Sequence, residues 1–351
     1  MAVSYNQISK VFGDGTVALD NLNLEFKKGE FIVLLGPSGS GKTTACRILA
    51  GLEEATSGSV TVDDFEVTSL PPRERNMGMV FQNYALYGHK TVYENIAYPL
   101  RIRKIDKGNI DSRVRAIAKV LQIESYLDRR PSQLSGGQAQ RVAVARALVW
   151  NPEICLMDEP LSNLDALLRL ETRTELKRLH GDLGQTFVFV THDQEEAMTL
   201  GTRIAVLNGG KLAQFDTPRR VYHEPATRFV AEFIGRPAMN VLDGEVADGV
   251  FRSGTFELPV TGQPDGPVAL GVRPEQILLQ EAPTDQTVSF NLDVLELVEP
   301  DALLFVKKDN TSLVVRVMRD TTGLDRSSQI HLEFPEHTRH FFEIRDGRRR
   351  S

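Results

Sequence analysis

Short apolar runs alternate with helix-spaced apolar positions through the first 235 residues of the chain. The runs lie at residues 31–35, 154–157, 187–190 and 204–207. Four or five consecutive apolar residues are typical of strands that are buried on both faces. The pattern therefore predicts a mainly parallel sheet covered by helices. Because ligands collect at the carboxyl ends of such strands, we expect functional residues directly after the runs.

The strand pattern stops between about residues 85 and 150, where apolar residues recur at helical spacing. Val114, Ile117 and Leu121 fall on one face of a predicted helix, and Asp111 is its expected N-cap. A further helix is expected from about Ser135 to Trp150. We interpret this region as a helical insertion into the α/β domain.

Beyond Asn240 the pattern changes to short alternating strands broken by Gly and Pro. They lie at residues 242–246, 268–272, 292–297, 303–307 and 313–317. This pattern predicts an all-β second domain, most simply a small barrel. A Gly-Arg-Pro interruption at residues 235–237 places the expected boundary between domains 1–235 and 236–351.

Composition narrows the class of protein. A chain of 351 residues has room for two cores, and 41 basic against 47 acidic residues give a net charge of −6, which opposes nucleic-acid binding. The two cysteines, Cys46 and Cys155, lack ligand spacing and suit a reducing, cytoplasmic compartment. The sequence has no apolar stretch of membrane-spanning length, about 18 residues, and no signal-peptide pattern. Any membrane association is therefore expected to go through a partner.

A glycine-rich segment follows the first apolar run and has the spacing of a phosphate-binding loop. Its four-residue gap between glycines lets backbone N–H groups converge on one anion, and the next helix points its positive end at the same place. The lysine adds a positive charge beside the terminal phosphates, and the threonine after it offers a hydroxyl to Mg²⁺. The segment consists of Gly36, Pro37, Ser38, Gly39, Ser40, Gly41, Lys42, Thr43 and, in the helix, Thr44.

Polar residues also follow the other runs. Asp158 and Glu159 come after run 154–157, where one carboxylate can hold Mg²⁺ while the other polarises water. His192 follows run 187–190 closely enough to reach a terminal phosphate, although Asp193 behind it also suits an ordinary helix start. Gln82 ends another apolar stretch, where its amide can contact metal or water.

A second helix start has the features of an anion site. Ser135 is a plausible N-cap, and the glycines Gly136 and Gly137 leave the backbone amides before Gln138 open to close approach. One terminal phosphate held between two such helix starts makes nucleotide-driven closure physically reasonable.

Taken together, the motifs resemble the ATP-binding subunits of ABC transporters, and specifically those of bacterial carbohydrate importers of the maltose type. The similarity covers essentially the whole chain. It rests on the phosphate-binding loop, Gln82, the segment at 134–138, the run ending in Glu159, residues 162–165 and His192, in family order, together with residues 233–240 and 271–275 of the second domain. The resemblance implies an α/β P-loop ATPase domain with a helical insertion, followed by an OB-like regulatory domain.

The resemblance also assigns roles. It implies that Phe12 stacks on adenine, that Thr43, Gln82 and Asp158 surround Mg²⁺, and that Glu159 is the general base while His192 contacts the γ-phosphate. It further implies a head-to-tail dimer in which residues 135–138 of one copy complete the ATP site of the other, with Asp165 linking the sites. Two permease subunits, and indirectly an extracytoplasmic solute-binding protein, are the implied partners at the cytoplasmic face of the membrane.

Three alternatives stay open at this point. The same kind of transporter could import sulfate, ferric iron or polyamine, because the ATPase subunit does not contact the solute. A soluble ABC-type ATPase acting on nucleic acid or ribosomes is disfavoured by the net charge and by the single nucleotide-binding domain. A non-catalytic regulatory module is disfavoured by the intact Glu159 and His192.

Overall fold

The computed structural model describes residues 2–318, 324–326 and 328–350. The chain divides into two compact units, one up to Arg219 and one from Arg220. This division lies earlier in the chain than the domain boundary expected at residues 235/236, which stays a prediction. No helix among the described residues is long and apolar enough to cross a membrane.

The first unit contains two sheets. Its strands are β1 (Ala2–Val11), β2 (Val17–Lys27), β3 (Phe31–Leu35), β4 (Ser57–Val62), β5 (Phe65–Glu66), β6 (Met77–Val80), β7 (Ile154–Asp158), β8 (Thr186–Thr191), β9 (Arg203–Asn208) and β10 (Lys211–Asp216). One sheet has the order β10-β9-β3-β8-β7-β6 and is parallel except for β10. The predicted parallel sheet is confirmed, since β3, β7, β8 and β9 cover the four apolar runs.

The second sheet of this unit was not predicted. It is antiparallel, with the order β2-β1-β4-β5. Along β2, buried Leu22, Leu24 and Phe26 alternate with exposed polar residues. This period of two is typical of a strand with one face on the core, and it was visible in the sequence.

Helices cover the parallel sheet and build the insertion. They are α1 (Lys42–Ala50), α2 (Val92–Ile102), α3 (Lys107–Val120), α4 (Gly136–Leu148), α5 (Ala166–Leu183), α6 (Gln194–Leu200) and, at the unit boundary, α7 (Pro218–His223). Helices α2, α3 and α4 fall within the range expected for the insertion, and they pack against one another.

The expected N-cap Asp111 is wrong. Helix α3 begins earlier, where the Asp106 side chain accepts a hydrogen bond of 3.0 Å from the Gly108 N–H. Asp111 lies inside the helix and forms an ion pair of 2.9 Å with Arg115, one turn further on. Both aspartates precede Val114, and only the first has its side chain level with the unpaired N–H groups of the first turn.

The second unit is mainly β structure, and it contains α8 (Arg228–Phe233) ahead of its strands. Its strands are β11 (Asn240–Ala247), β12 (Val250–Ser253), β13 (Phe256–Pro259), β14 (Gly266–Val272), β15 (Leu278–Gln280), β16 (Thr287–Val298), β17 (Asp301–Lys308), β18 (Thr311–Val317), β19 (Gln329–Glu333) and β20 (His340–Phe342). They form two five-stranded antiparallel sheets with the orders β13-β12-β11-β14-β20 and β15-β19-β16-β17-β18. Phe251, Phe256, Phe290 and Phe334 meet in the core of this unit, and the predicted all-β domain is confirmed.

Buried Arg273 ties the segment before β11 to this unit. Its guanidinium donates to the carbonyl oxygens of Tyr222, Ala231 and Ile234, and it lies 4.2 Å from the centroid of the Tyr222 ring. Because these carbonyls follow Arg219, the contacts explain why residues 220–235 belong to the second unit.

Candidate active site

The phosphate-binding loop is a tight turn between β3 and α1. A Cβ atom added at Gly36 would lie 2.3 Å from the Leu207 carbonyl oxygen, and one added at Gly41 would lie 2.3 Å from that of Ala18. Gly41 also has a φ of 95°, which disfavours any other residue. No side chain caps the N-terminus of α1, so its first N–H groups stay open to an anion.

Lys42 is held beneath this loop. The side chain is only 5% exposed, and its ammonium donates to the carbonyl oxygens of Gly36 at 2.9 Å and Pro37 at 2.8 Å. Burial lowers the pKa of the Lys42 ammonium, while the charges of Glu159 and Asp158 raise it. A buried cation that is close to two carboxylates is well placed to compensate for incoming phosphate charge.

Asp158 and Thr43 meet where β7 ends and α1 begins. The Thr43 hydroxyl donates a hydrogen bond of 2.8 Å to Asp158 Oδ1. Burial raises the pKa of the Asp158 carboxyl, the Thr43 hydrogen bond lowers it, and the neighbouring charge of Glu159 raises it. A carboxylate that is destabilised in this way favours a nearby cation.

Glu159 lies between Gln82 and His192. Its Oε2 accepts a hydrogen bond of 3.4 Å from the Gln82 amide, and its Oε1 lies 3.5 Å from His192 Nδ1. These three side chains follow β6, β7 and β8, three neighbouring strands of the sheet. The structure therefore brings together all four of the predicted polar residues at this edge, since Asp158 directly precedes Glu159.

The backbone of Glu159 is strained. Its φ is 44°, a left-handed conformation that residues with a side chain adopt rarely. The Glu159 N–H donates to the Val190 carbonyl at 3.1 Å, and its own carbonyl accepts from the Ser162 hydroxyl at 2.9 Å. Such strain persists only where the surroundings fix it, and it is frequent at functional sites.

Ser162 and Asn163 are neighbours of Gln82 that sequence reasoning did not single out. The Ser162 hydroxyl accepts a hydrogen bond of 3.4 Å from the Gln82 amide, and the Asn163 amide donates to the Gln82 carbonyl at 3.1 Å. About 80 residues separate the partners, so no local pattern signals these contacts. Their only signal was their place in the motif at 162–165.

The segment at 135–138 begins α4, and its capping hydrogen bonds are made within that helix. The Ser135 hydroxyl accepts from the Gln138 N–H at 3.4 Å, and the Gln138 side chain accepts from the Ser135 N–H at 3.0 Å, so the predicted N-cap is confirmed. Asp165 likewise caps α5 by accepting from the Leu168 N–H at 3.0 Å. A Cβ atom added at Gly137 would lie 2.6 Å from the Leu168 side chain, so the two helix starts are adjacent.

Phe12 lies in the turn after β1, with 39% of its surface exposed. The Lys10 ammonium lies 5.1 Å from the centroid of the Phe12 ring. Lys10 is held by an ion pair of 2.7 Å with Glu53 and by a hydrogen bond of 2.8 Å to the Glu54 carbonyl. An exposed ring with a cation fixed over it is available for stacking.

The fold and the site define a P-loop ATPase. Two family models match the chain: the ABC transporter model at residues 19–162 and the MalK OB fold domain model at residues 235–277. The sn-glycerol-3-phosphate import ATP-binding protein UgpC of Salmonella typhi is 45% identical to this chain over 97% of it and 98% of the relative. The diacetylchitobiose uptake system ATP-binding protein MsiK of Streptomyces coelicolor is 44% identical, covering 90% of each.

Solved structures agree with these matches. The dimeric ATP-binding cassette MJ0796, in a post-hydrolysis state with ADP and Pi, has a TM-score of 0.56 and 35% identity over 62% of this chain and 99% of that one. CbiO1 of Clostridium perfringens, part of an ABC transporter complex, has a TM-score of 0.59 and 28% identity, and the match covers 63% of this chain and 90% of CbiO1. The chain belongs to the ABC transporter family, as an ATP-hydrolysing subunit of an import system with a MalK-type OB domain.

Proposed function

We propose that two copies of this chain bind MgATP at a shared, head-to-tail interface and that hydrolysis there drives solute uptake through two membrane-embedded permease subunits. The supporting observation is the convergence of Thr43, Asp158, Glu159, Gln82 and His192 on one sheet edge, next to a phosphate-binding loop with an uncapped helix start.

The oxygen atoms of Thr43 and Asp158 fit a magnesium ion. Mg²⁺ prefers hard oxygen ligands and ordinarily takes one or two carboxylates, with phosphate oxygens and water completing its shell. The Asp158 carboxylate is destabilised by burial and by the neighbouring charge of Glu159, and Gln82 offers a third oxygen. Thr43, Asp158 and Gln82 would hold the ion, which would supply positive charge to neutralise the phosphate oxygens.

The Glu159 carboxylate is the proposed general base. It accepts a proton from the water that attacks the terminal phosphate. Gln82 and His192, which follow the strands on either side of β7, contact its two carboxylate oxygens. His192, with its side chain 59% exposed, also contacts the γ-phosphate in this proposal. Lys42 stabilises the transferred phosphate, and Phe12 stacks on adenine.

The second copy completes each site. In this proposal Ser135, Gly136, Gly137 and Gln138, at the start of α4, meet the nucleotide of a facing copy, with Asp165 alongside them. Dimers of MJ0796, described as a bacterial ABC transporter cassette, support this arrangement.

We propose that the chain is a peripheral subunit at the cytoplasmic face of the membrane. An extracytoplasmic solute-binding protein delivers the solute to the transporter in this proposal. We infer a carbohydrate or closely related cargo, because the names of relatives refer to sn-glycerol-3-phosphate and diacetylchitobiose. Uptake of labelled solutes by the reconstituted transporter decides between this cargo and sulfate, ferric iron or polyamine.

Replacing Glu159 with Gln tests the catalytic assignment. The E159Q variant should bind ATP normally, accumulate as an ATP-bound dimer, and lose hydrolysis by roughly 100-fold or more, since the amide cannot accept the proton. The control is E153Q, an exposed acid at the opposite end of β7. Hydrolysis by E159Q at the wild-type rate would refute Glu159 as the base.

A further inference from the structure

Arg169 connects two segments that border the candidate active site. In the first turn of α5, its Nη2 donates a hydrogen bond of 3.0 Å to the carbonyl of Leu164, directly before the N-cap Asp165. Its Nη1 and Nε lie 3.8 Å from carboxylate oxygens of Asp193 and Glu196, respectively. One side chain thus contacts the segment before α5 and the segment that carries His192.

The acidic partners of Arg169 fix the backbone on either side of His192. Glu196 is only 4% exposed and accepts a hydrogen bond of 2.6 Å from the Thr191 hydroxyl. That hydroxyl in turn accepts from the Asp193 N–H at 2.9 Å. A buried carboxylate without a nearby cation is costly, and burial does raise the pKa of Glu196, whereas the charge of Arg169 lowers it.

A small cavity joins this cluster to the reacting groups. It has a volume of about 40 Å³ and is lined by Glu159 and His192 as well as by Arg169, Asp193 and Glu196. A shift of Arg169 or its acids therefore changes the walls that hold the proposed base and the proposed phosphate contact.

We propose that Arg169 is a positioning residue for ATP hydrolysis. It holds the His192 segment and the segment before Asp165 in a fixed relation, so that Glu159 and His192 keep the geometry that turnover needs. Arg169 acts through Leu164, Asp193 and Glu196 and not by touching nucleotide. This inference rests on the proposed roles of Glu159 and His192.

Arg173 is a matched control on the same helix. One turn beyond Arg169, its guanidinium forms an ion pair of 2.9 Å with Glu195, so it also joins α5 to α6. The Glu195 side chain is 73% exposed and does not line the cavity. We therefore expect replacement of Arg173 to weaken the docking of the two helices while the side chains that line the cavity stay in place.

The experiment compares R169Q, R169K and R173Q in the full-length chain, with kcat for ATP hydrolysis and the Kd for ATP measured for each. We expect R169Q to lower kcat about 10- to 100-fold while the Kd for ATP changes less than about twofold, because misplacing catalytic groups affects the transition state more than nucleotide binding. R169K should recover part of the loss, because an ammonium can neutralise the acids but cannot also hold Leu164 in the same geometry. R173Q should keep wild-type kcat.

Two results would overturn the proposal: wild-type kcat in R169Q, or an equal loss of kcat in R173Q, which would show that helix docking alone matters. Circular dichroism and thermal unfolding establish whether each variant is folded. If R169Q is not folded, the kcat of R169K is compared with those of the wild type and R173Q instead. E159Q, assayed in parallel, distinguishes failure of the Arg169 proposal from failure of the base assignment on which it rests. If E159Q hydrolyses ATP normally, the base assignment fails, whatever Arg169 does.

Discussion

The Thr43 hydroxyl donates a hydrogen bond of 2.8 Å to Asp158, although 115 sequence positions separate the two residues. This bond joins the helix that follows the phosphate-binding loop to the strand end that carries the acidic pair. It sets side by side the two oxygen atoms that are proposed to bind Mg²⁺. Preorganisation of this kind reduces the reorganisation that substrate binding would otherwise require.

Removing the Thr43 hydroxyl should weaken the dependence of ATP binding on Mg²⁺. T43A loses one oxygen ligand and the hydrogen bond to Asp158, whereas T43S keeps both. We expect T43A to need roughly 10-fold more Mg²⁺ for half-maximal nucleotide binding, a change of about 1.4 kcal/mol. Titration of Mg²⁺ against a fluorescent ATP analogue measures this. Equal Mg²⁺ requirements in T43A and T43S would contradict the proposed metal site.

Removing the Phe12 ring should lower nucleotide affinity. Stacking of a base on an aromatic ring contributes about 1–3 kcal/mol, so F12A should raise the Kd for ATP by roughly 5- to 150-fold. F12Y keeps the ring under Lys10 and should bind nearly normally. Calorimetric titration with ATP gives both constants. The stacking role is disproved if F12A and F12Y bind ATP equally well.

A cysteine at Gly88 should capture a membrane subunit, because the resemblance to ABC importers implies that residues 82–87, directly before it, lie near the contact with the permease subunits. Gly88 is exposed, and a Cβ atom added there meets nothing within 4 Å, so G88C is sterically compatible with the loop. Gly181 in α5 has equally open space and supplies the control, G181C. The native thiols of Cys46 and Cys155 are buried and should stay unreactive. Cross-linking in membranes should join G88C, and not G181C, to a permease subunit; repeated capture of ribosomal protein or nucleic acid would argue against an importer.

The second unit should lose stability in mild acid through His340. Burial, assisted by the charges of Arg349, Arg273 and His223, lowers the pKa of this imidazole to about 4. The unfolded chain therefore binds more protons than the folded one between pH 6.5 and 4, so stability falls as the pH falls through that window. The loss reaches at most about 3 kcal/mol.

Calorimetric unfolding at pH 7 and pH 4.5 tests this dependence on His340. H340Q cannot gain the proton and should show a flatter response of the second unit to pH. H337Q, at a nearby exposed histidine, should behave like the wild type. An unchanged pH response in H340Q would assign the loss to other groups.

Much of the parallel sheet could be predicted because its signals are local. The runs that became β3, β7, β8 and β9 are continuous in sequence, since strands covered by helices on both faces must be apolar throughout. The antiparallel sheet of β1, β2, β4 and β5 was missed although β2 alternates visibly, because β1 reads as mostly polar and β4, its other partner, lies beyond the phosphate-binding loop and α1.

By itself, the sequence determined the identity of the strand-end residues, the spacing of the phosphate-binding loop and the cap at Ser135. Each depends on neighbours within a few positions, where backbone geometry follows directly from residue type. Tertiary structure alone decided that Ser162 and Asn163 hold Gln82 and that Arg169 meets Asp193 and Glu196. The physical reason is that these contacts join segments distant in sequence, and their geometry exists only after the sheet and its covering helices have packed.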